Sequence, residues 1–337
     1  MKFFHLILYV SISIRSESQV IVSSSNNRLI HFIPSTFSNS FSLNIPPVLT
    51  IKSGDTVKTE TIDAAGFDKN AVKRQHGGNP LTGPFYIENS KPGDILAVTF
   101  NRISLNRSYA FTTESFVSRS LPKATIKLLP PEHIARWNLD VKNGFASPDS
   151  AFEHLEHFKV PLHPFLGCVG VAPANRKNEV LSFFQGAYGG NLDFSSIAQG
   201  ATIYLPVFHE GAYLYLGDAH ALQGDGELAG NALETSMDIE FTVNLIENNS
   251  TGIQDPRVED SEYIMVIGID KSLDGALKTA TCGLLIWLQN DYHLSLVEAT
   301  QVISTCIEYV IAEIADPNVE VVAKIKKEIL KGLNKKN

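Results

Sequence analysis

Four side chains able to bind a metal or move a proton fall within ten residues of Leu216-Gly-Asp-Ala-His-Ala-Leu-Gln-Gly-Asp-Gly-Glu227: Asp218, His220, Asp225 and Glu227. Asp218 and His220 are two apart. If the strand that begins at Ala212 continues to His220, both project from one face. One neutral imidazole and one hard carboxylate on a face suit Zn²⁺ or a similar divalent ion. Gly217, Gly224 and Gly226 let the chain turn tightly, which would bring Asp225 or Glu227 back over that face. A solvated turn explains the same residue types equally well.

A second cluster, Gly186-Ala-Tyr-Gly-Gly-Asn-Leu-Asp193, again sets two polar groups two apart, Asn191 and Asp193. Its double glycine, Gly189-Gly190, permits close backbone approach to a small substrate, although on pattern alone a plain hairpin loop accounts for it better. His163 and His31 complete the inventory. His163 reads as structural, and His31 either reaches a site from another strand or caps a turn. No Gly-x-Ser-x-Gly elbow, phosphate-binding Gly-x-x-x-x-Gly-Lys loop or His-Glu-x-x-His helix is present. The Gly/Ser-rich stretch with Ser-x-x-Lys partners expected of serine-based amidases is missing as well.

The elements that must hold these groups are mostly strands. From about Val20 to Val117 β-rich runs alternate with turns, and Gly54-Asp55 and Gly93-Asp94 mark two of the turns. Ile95 to Phe100 reads as a strand buried on both faces. Residues 76–84 hold too many Gly and Pro residues for a helix or a central strand, so a shaped loop is expected. Prolines at 122, 130, 131, 148 and 161 mark an irregular stretch and a boundary between halves. Strands resume from Gly167 to Leu245. The run Met237–Leu245 alternates with Ile239, Phe241, Val243 and Leu245 on one side. The period then changes. Ser272 caps a helix with the stripe Leu273, Leu277, Ala280, Leu284 and Leu288. Ser295 and Glu298 form a capping box for a second helix, with the stripe Leu296, Ala299, Ile303, Cys306, Val310 and Ile314, closed by Asp316-Pro317. Strands first and helices last indicate an α+β protein: a β-rich sandwich or barrel-like core with a C-terminal helical hairpin.

The 337 residues, 44% hydrophobic and 19% charged, suffice for a sizeable core. A net charge of -8 argues against nucleic acid as a partner. No run after the N-terminus is long and apolar enough to span a membrane. Lys2, the apolar run Phe3–Ile14 and Ser16-Glu-Ser18 have the form of a signal peptide cleaved after Ser18, which predicts an exported protein; a first buried strand is the alternative. The expected organisation is therefore a signal peptide at 1–18, a β-rich N-terminal domain at 19–150, and an α+β domain at 151–337 carrying most of the site. Cys168, Cys282 and Cys306 match no metal-ligand spacing, and Cys282 and Cys306 read as buried small hydrophobes.

In combination these blocks resemble the acetamidase/formamidase family over nearly the whole mature length. They run in order: Pro46-Pro-Val-Leu-Thr-Ile with Gly54-Asp55, Gly78-Asn-Pro-Leu-Thr-Gly-Pro84, Pro92-Gly-Asp94, His163-Pro-Phe-Leu-Gly167 with Gly170-Val-Ala-Pro173, Gly189-Gly-Asn-Leu-Asp193, the 217–227 stretch, and Gly268-Ile-Asp-Lys-Ser-Leu-Asp274. The resemblance implies hydrolysis of short amides such as formamide or acetamide, a β-rich fold with a helical C-terminal part, a bound divalent metal and a homo-oligomer. It places the family's acidic and histidine motif at Asp218, His220 and Glu227, with Asp193 as a further site residue. The expected roles are metal binding by Asp218, His220 and Asp193, and proton transfer by Glu227. Substrate binding is expected at Asn79, Gly189, Gly190 and Asn191, with backbone N–H groups of Gly189-Gly190 or Gly78-Asn79 facing the oxyanion. Zn²⁺ fits this set best. Ca²⁺ held by Asp193, Asp218 and Asp225 in an exported binding protein is the rival reading. A hydrolase of cyclic amides or carbamates is another. A signal peptide would set this chain apart from cytosolic members.

Overall fold

The computed structural model describes residues 21–22, 27–149, 152–175, 179–248 and 252–333, so the expected signal segment at 1–18 lies outside the described residues. Two large sheets, antiparallel in most of their pairings, make up the body of the chain. The middle of the first is Thr56–Glu60, Met237–Ile246, Ile95–Leu105 and Thr202–Pro206, and its far edge is Tyr263–Asp270, Val319–Lys326 and Glu308–Glu313. The second is centred on Leu214–His220, which pairs with Phe165–Gly170 along one side and with Leu81–Ile87 and Glu234–Thr235 along the other. Four helices are described. Leu273–Asp291 and Leu296–Cys306 form the expected C-terminal pair.

Alternation builds the core. In Met237–Ile246 the side chains of Met237, Ile239, Phe241 and Val243 are buried, while Asp238 and Asn244 face solvent. They meet residues of the other sheet: Phe85 stacks edge-on against Phe241 at 5.3 Å and against Phe32 at 5.7 Å. Each such side chain taken out of water contributes about 1.5–3 kcal/mol. Ile95 to Val98 are buried, as a strand covered on both faces requires. The Gly-Asp turns form as expected, with φ of 90° at Gly54 and 94° at Gly93. Ser272 caps the first helix through Gly275 N, and Ser295 with Glu298 completes the capping box of the second. The first helix lies on Ile264, Val266, Ala323 and Ile325 of the outer strands. No described helix is long and apolar enough to cross a membrane.

Several expectations are revised. The second helix stops at Cys306, and Glu308–Glu313 is a strand paired with Val319–Lys326. Val310 and Ile314 extend the helical stripe by coincidence. The run of Ile307, Tyr309, Val310 and Ile311 favours a strand wherever a partner is on offer. Residues 76–80 are a loop, but Leu81–Ile87 is a central strand. Its Gly83-Pro84 step falls where the register with Leu214–His220 shifts, so the missing proline N–H leaves no ladder bond unmade. The boundary expected near 150 separates no sheets, because strands from both sides of it alternate within each one. Cys282 is exposed and Cys306 half-buried, so neither is a core residue.

Candidate active site

The site sits at the His220 end of Leu214–His220, and ladder registers bring its parts together. His220 pairs with Glu234 on one neighbouring strand and with Phe165 on the other, and Cys168 pairs with Asn191 one strand further on. Asp193 follows that strand. Asn79, Asp193, Asp218 and Glu227 all adopt left-handed φ, of 51°, 40°, 54° and 47°. Left-handed backbone at non-glycine residues costs about 1–3 kcal/mol each and concentrates at functional sites. At Asp218 it breaks the strand alternation and turns the carboxylate toward its neighbours.

The side chains of Asp218 and His220 converge, through the turn at Asp218 and not through regular strand alternation. His220 Nε2 lies 3.5 Å from Asp218 Oδ1 and 3.3 Å from Glu234 Oε1, and Nδ1 lies 3.7 Å from Asp193 Oδ1. Ligand atoms of Asp193, His220 and Glu227 lie within 4.8 Å of one another, as do those of Asp218, His220 and Glu234. Gln223 orients the ring. Its amide nitrogen donates to Asp193 O at 2.6 Å, which turns its Oε1 toward His220 Nδ1 at 2.9 Å. Nδ1 therefore carries the hydrogen, and Nε2 offers a lone pair to the Asp218 and Glu234 side. Phe165 packs edge-on against the ring at 5.0 Å.

Asparagines hold the carboxylates. Asn79 Nδ2 donates to Asp218 Oδ2 at 2.8 Å and to Asn191 Oδ1 at 3.2 Å. Asn191 Nδ2 donates to Asp193 Oδ2 and, at 3.1 Å, to Asp316 Oδ2. The Cys168 thiol donates to Asn191 Oδ1 at 2.8 Å. Glu313 Oε1 accepts from Asp316 N at 2.6 Å, and its other oxygen accepts from Gln185 at 3.2 Å.

Charge decides what this centre can hold. Asp193, Asp218, Glu227 and Glu234 are all buried around one imidazole. Two unit charges about 4 Å apart repel by about 4 kcal/mol at an effective dielectric of about 20. Burial, reinforced by neighbouring carboxylates, pushes Asp193 and Glu227 well above the usual carboxylate range, and His220 only partly offsets this at Glu227. Burial likewise lifts Glu234 to about 8, against the pull of His220. Burial opposes charge on His220, but Glu234 and Asp218 outweigh it and push the ring up to about 10, so Nε2 offers its lone pair only where a cation takes the proton's place. Asp193 Oδ1, Asp218 Oδ1, His220 Nε2 and Glu234 Oε2 are buried with no hydrogen-bond partner. Orphaned acceptors around a surplus of negative charge can hold a divalent cation: Asp218 and Glu234 face His220 Nε2, and Asp193 faces the Nδ1 side with Glu227. Gly167 keeps the space open. A Cβ there would fall 2.3 Å from Asp193 Oδ1, 2.8 Å from Asp218 Oδ2 and 3.0 Å from His220 Cε1.

The other anticipated residues divide clearly. Glu227 joins the cluster and also walls a cavity of about 510 Å³. Asn79 and Asn191 join through their side chains. The backbone N–H groups of Gly78 and Asn79 are both taken by Ala64 O, at 2.9 and 3.3 Å. Gly189 and Gly190 lie in a strand paired on both edges, where an added Cβ would fall 2.2 Å from Val169 O and 2.3 Å from Phe184 O. They allow close packing and present no oxyanion hole. Asp225 is exposed, which removes the calcium set that included it. His163, exposed, bonds Ser195 O at 3.0 Å, and His31 is an exposed strand residue. Sequence reasoning missed Glu234, Glu313, Asp316, Gln223 and Gly167.

Two stacked sheets enclosing a carboxylate-rich centre around one imidazole define a β-sheet protein with a buried acid–base site fitted to a cation. The sequence pattern of the Acetamidase/Formamidase family matches residues 27–181 and 185–330, so the chain belongs to that family of amidohydrolases. The formamidase of Methylophilus methylotrophus is 24% identical over 307 residues, covering 71% of this chain and 73% of its own. The acetamidase of Yersinia enterocolitica superposes with a TM-score of 0.78 at 28% identity, covering 91% of this chain and 94% of its own. That of Bacillus halodurans gives 0.77 at 26%, covering 90% and 100%.

Proposed function

We propose that this chain hydrolyses a linear carboxylic amide to carboxylate and ammonia at a divalent cation held by Asp193, Asp218, His220 and Glu234. The observation that carries the reading is the set of orphaned acceptors on Asp193, Asp218, His220 and Glu234, buried beside Glu227. When bound, the cation supplies Lewis-acid polarisation of the amide carbonyl and acidifies a water toward a pKa of about 7. Glu227 stands between the cluster and the cavity, where it accepts the attacking water's proton and returns it to the departing nitrogen. Asn79 and Asn191 hold Asp218 and Asp193 in place, and Gln223 holds the imidazole tautomer. Zinc suits the imidazole, while the oxygen-rich remainder keeps calcium as the alternative. We also propose the homo-oligomer that the family resemblance implies, which light scattering tests.

Ammonia release from formamide, acetamide and propionamide, with and without chelator and with metal analysis, tests the reaction. Glu227→Gln should lower kcat by ~10²–10⁴ and leave the metal content unchanged. Wild-type turnover in that variant removes Glu227 from proton transfer.

A further inference from the structure

The cavity beside Glu227 is far larger than a short amide needs, and its walls have a definite chemistry. Its volume of about 510 Å³ falls within the range of about 300–1,000 Å³ typical of sites for drug-sized ligands. Trp137, Phe158, Phe116, Leu129 and Leu228 line it, and Gln223 and Glu227 are its link to the buried cluster. Trp137 and Phe158 meet edge-on at 6.2 Å, which leaves ring surface for a third aromatic group. Formamide and acetamide present nothing larger than a methyl group to these walls. Glu114 and Asp225 also border the cavity, but most of its wall is apolar and Glu227 is the carboxylate it shares with the buried cluster, so it discriminates by apolar area.

We infer that the preferred substrate is a primary amide with an apolar, aryl-sized acyl group, the acyl part lying against Trp137, Phe158 and Leu228 and the amide at Glu227. The inference rests on the hydrolytic reading above. In the probe reaction phenylacetamide and water give phenylacetate and ammonia: the C–N bond breaks, a C–O bond forms, and the water proton leaves on nitrogen.

The test compares kcat/KM for phenylacetamide and acetamide on the full chain, read as ammonia. Phenylacetamide should be favoured by about 10- to 100-fold. Phe158→Ala and Leu228→Ala should each lower the ratio by about 5- to 10-fold; both residues are about two-fifths exposed, so truncation leaves the fold intact. Phenylacetate should also quench tryptophan fluorescence, and Trp137→Phe should abolish that response while Trp287 remains. Preference for acetamide, or a ratio unmoved by both truncations, overturns the acyl assignment and leaves amide hydrolysis standing. Ammonia from neither amide, in metal-loaded protein, overturns the hydrolytic reading and this inference with it.

Discussion

Replacing Gly167 by alanine adds one methyl group at the point where the site's acidic groups meet, and its effect follows from the geometry. The new carbon would lie 2.3 Å from Asp193 Oδ1, where ordinary contact begins at 3.4 Å. The carboxylate must retreat by about 1 Å, and Asp218 and His220 by smaller amounts. Metal donors tolerate only about 0.2 Å, and a misplacement of about 1 Å costs about 10²-fold in rate. We therefore expect kcat/KM for amide hydrolysis to fall about 10²-fold, equivalent to about 2.7 kcal/mol, with reduced metal content. Stability should fall by at most about 2.5 kcal/mol. Alanine gains about 0.5–1 kcal/mol over glycine in a strand, against about 1–3 kcal/mol for overpacking. Gly224→Ala is the control, since its methyl group meets nothing within 4 Å. Ammonia kinetics, elemental analysis and thermal melts on the three proteins decide the matter. Wild-type rate and metal content in Gly167→Ala would refute the convergence of Asp193, Asp218 and His220 on one cation.

Asp55 accepts from Arg28 N and Nε, both at 3.0 Å, and from Lys52 N at 2.9 Å. Asp55→Ala should cost about 2–3 kcal/mol in denaturant unfolding, less than a fully buried pair because Arg28 reaches solvent; a loss under about 0.5 kcal/mol would contradict this. Burial works against the Asp55 charge, but hydrogen bonds from Arg28 and Lys52 hold its pKa below the usual value. Its stabilisation is thus present above the unfolded pKa of about 3.9 and lost as pH falls through the folded one. The carboxylates near the site behave oppositely. Burial lifts Glu313 to about 8, with Asp316 adding to it, and burial lifts Asp316 to about 7 against its bond from Asn191. The folded state then binds more protons than the unfolded one between about pH 4 and 8, so chelated protein should lose stability as pH rises through that window. The melting temperature should fall by on the order of 5 °C, and restoring the cation should reverse the fall; a flat profile would show these groups ionise freely. Exposed Cys282 should react first with a thiol reagent and buried Cys168 last. Burial and the carboxylates of Asp218 and Asp193 raise the Cys168 thiol pKa well above its usual value.

Much of the site could be read from local spacing. Asp218 and His220 share a strand, and the chain after the following glycines returns Glu227, so Asp218 and Glu227 each lie beside His220. Asp193 and Asn191 were legible as a pair, though their partners were not. Glu234 gave no sign, because a glutamate in a short β run is normally a solvated residue; only its register opposite His220 buries it. Local periodicity puts Glu313 and Asp316 in a helix and its stop. They reach the site because Gly226 bridges Glu313 and bonds Ala312 O at 3.0 Å, contacts about 87 residues apart that no local period encodes.

Residue order alone accounts for the alternating strands, the Gly-Asp turns, the capped C-terminal helices and the pairing of an acid with an imidazole two residues on. All of these depend on backbone geometry within a few residues. Tertiary structure alone decided which strands became neighbours, and with that which carboxylates lost their water and which glycine left room between them. Ladder registers between distant segments made Glu234, Glu313, Asp316 and Gly167 parts of one centre, because burial and convergence are properties of the packed sheets and not of any one strand.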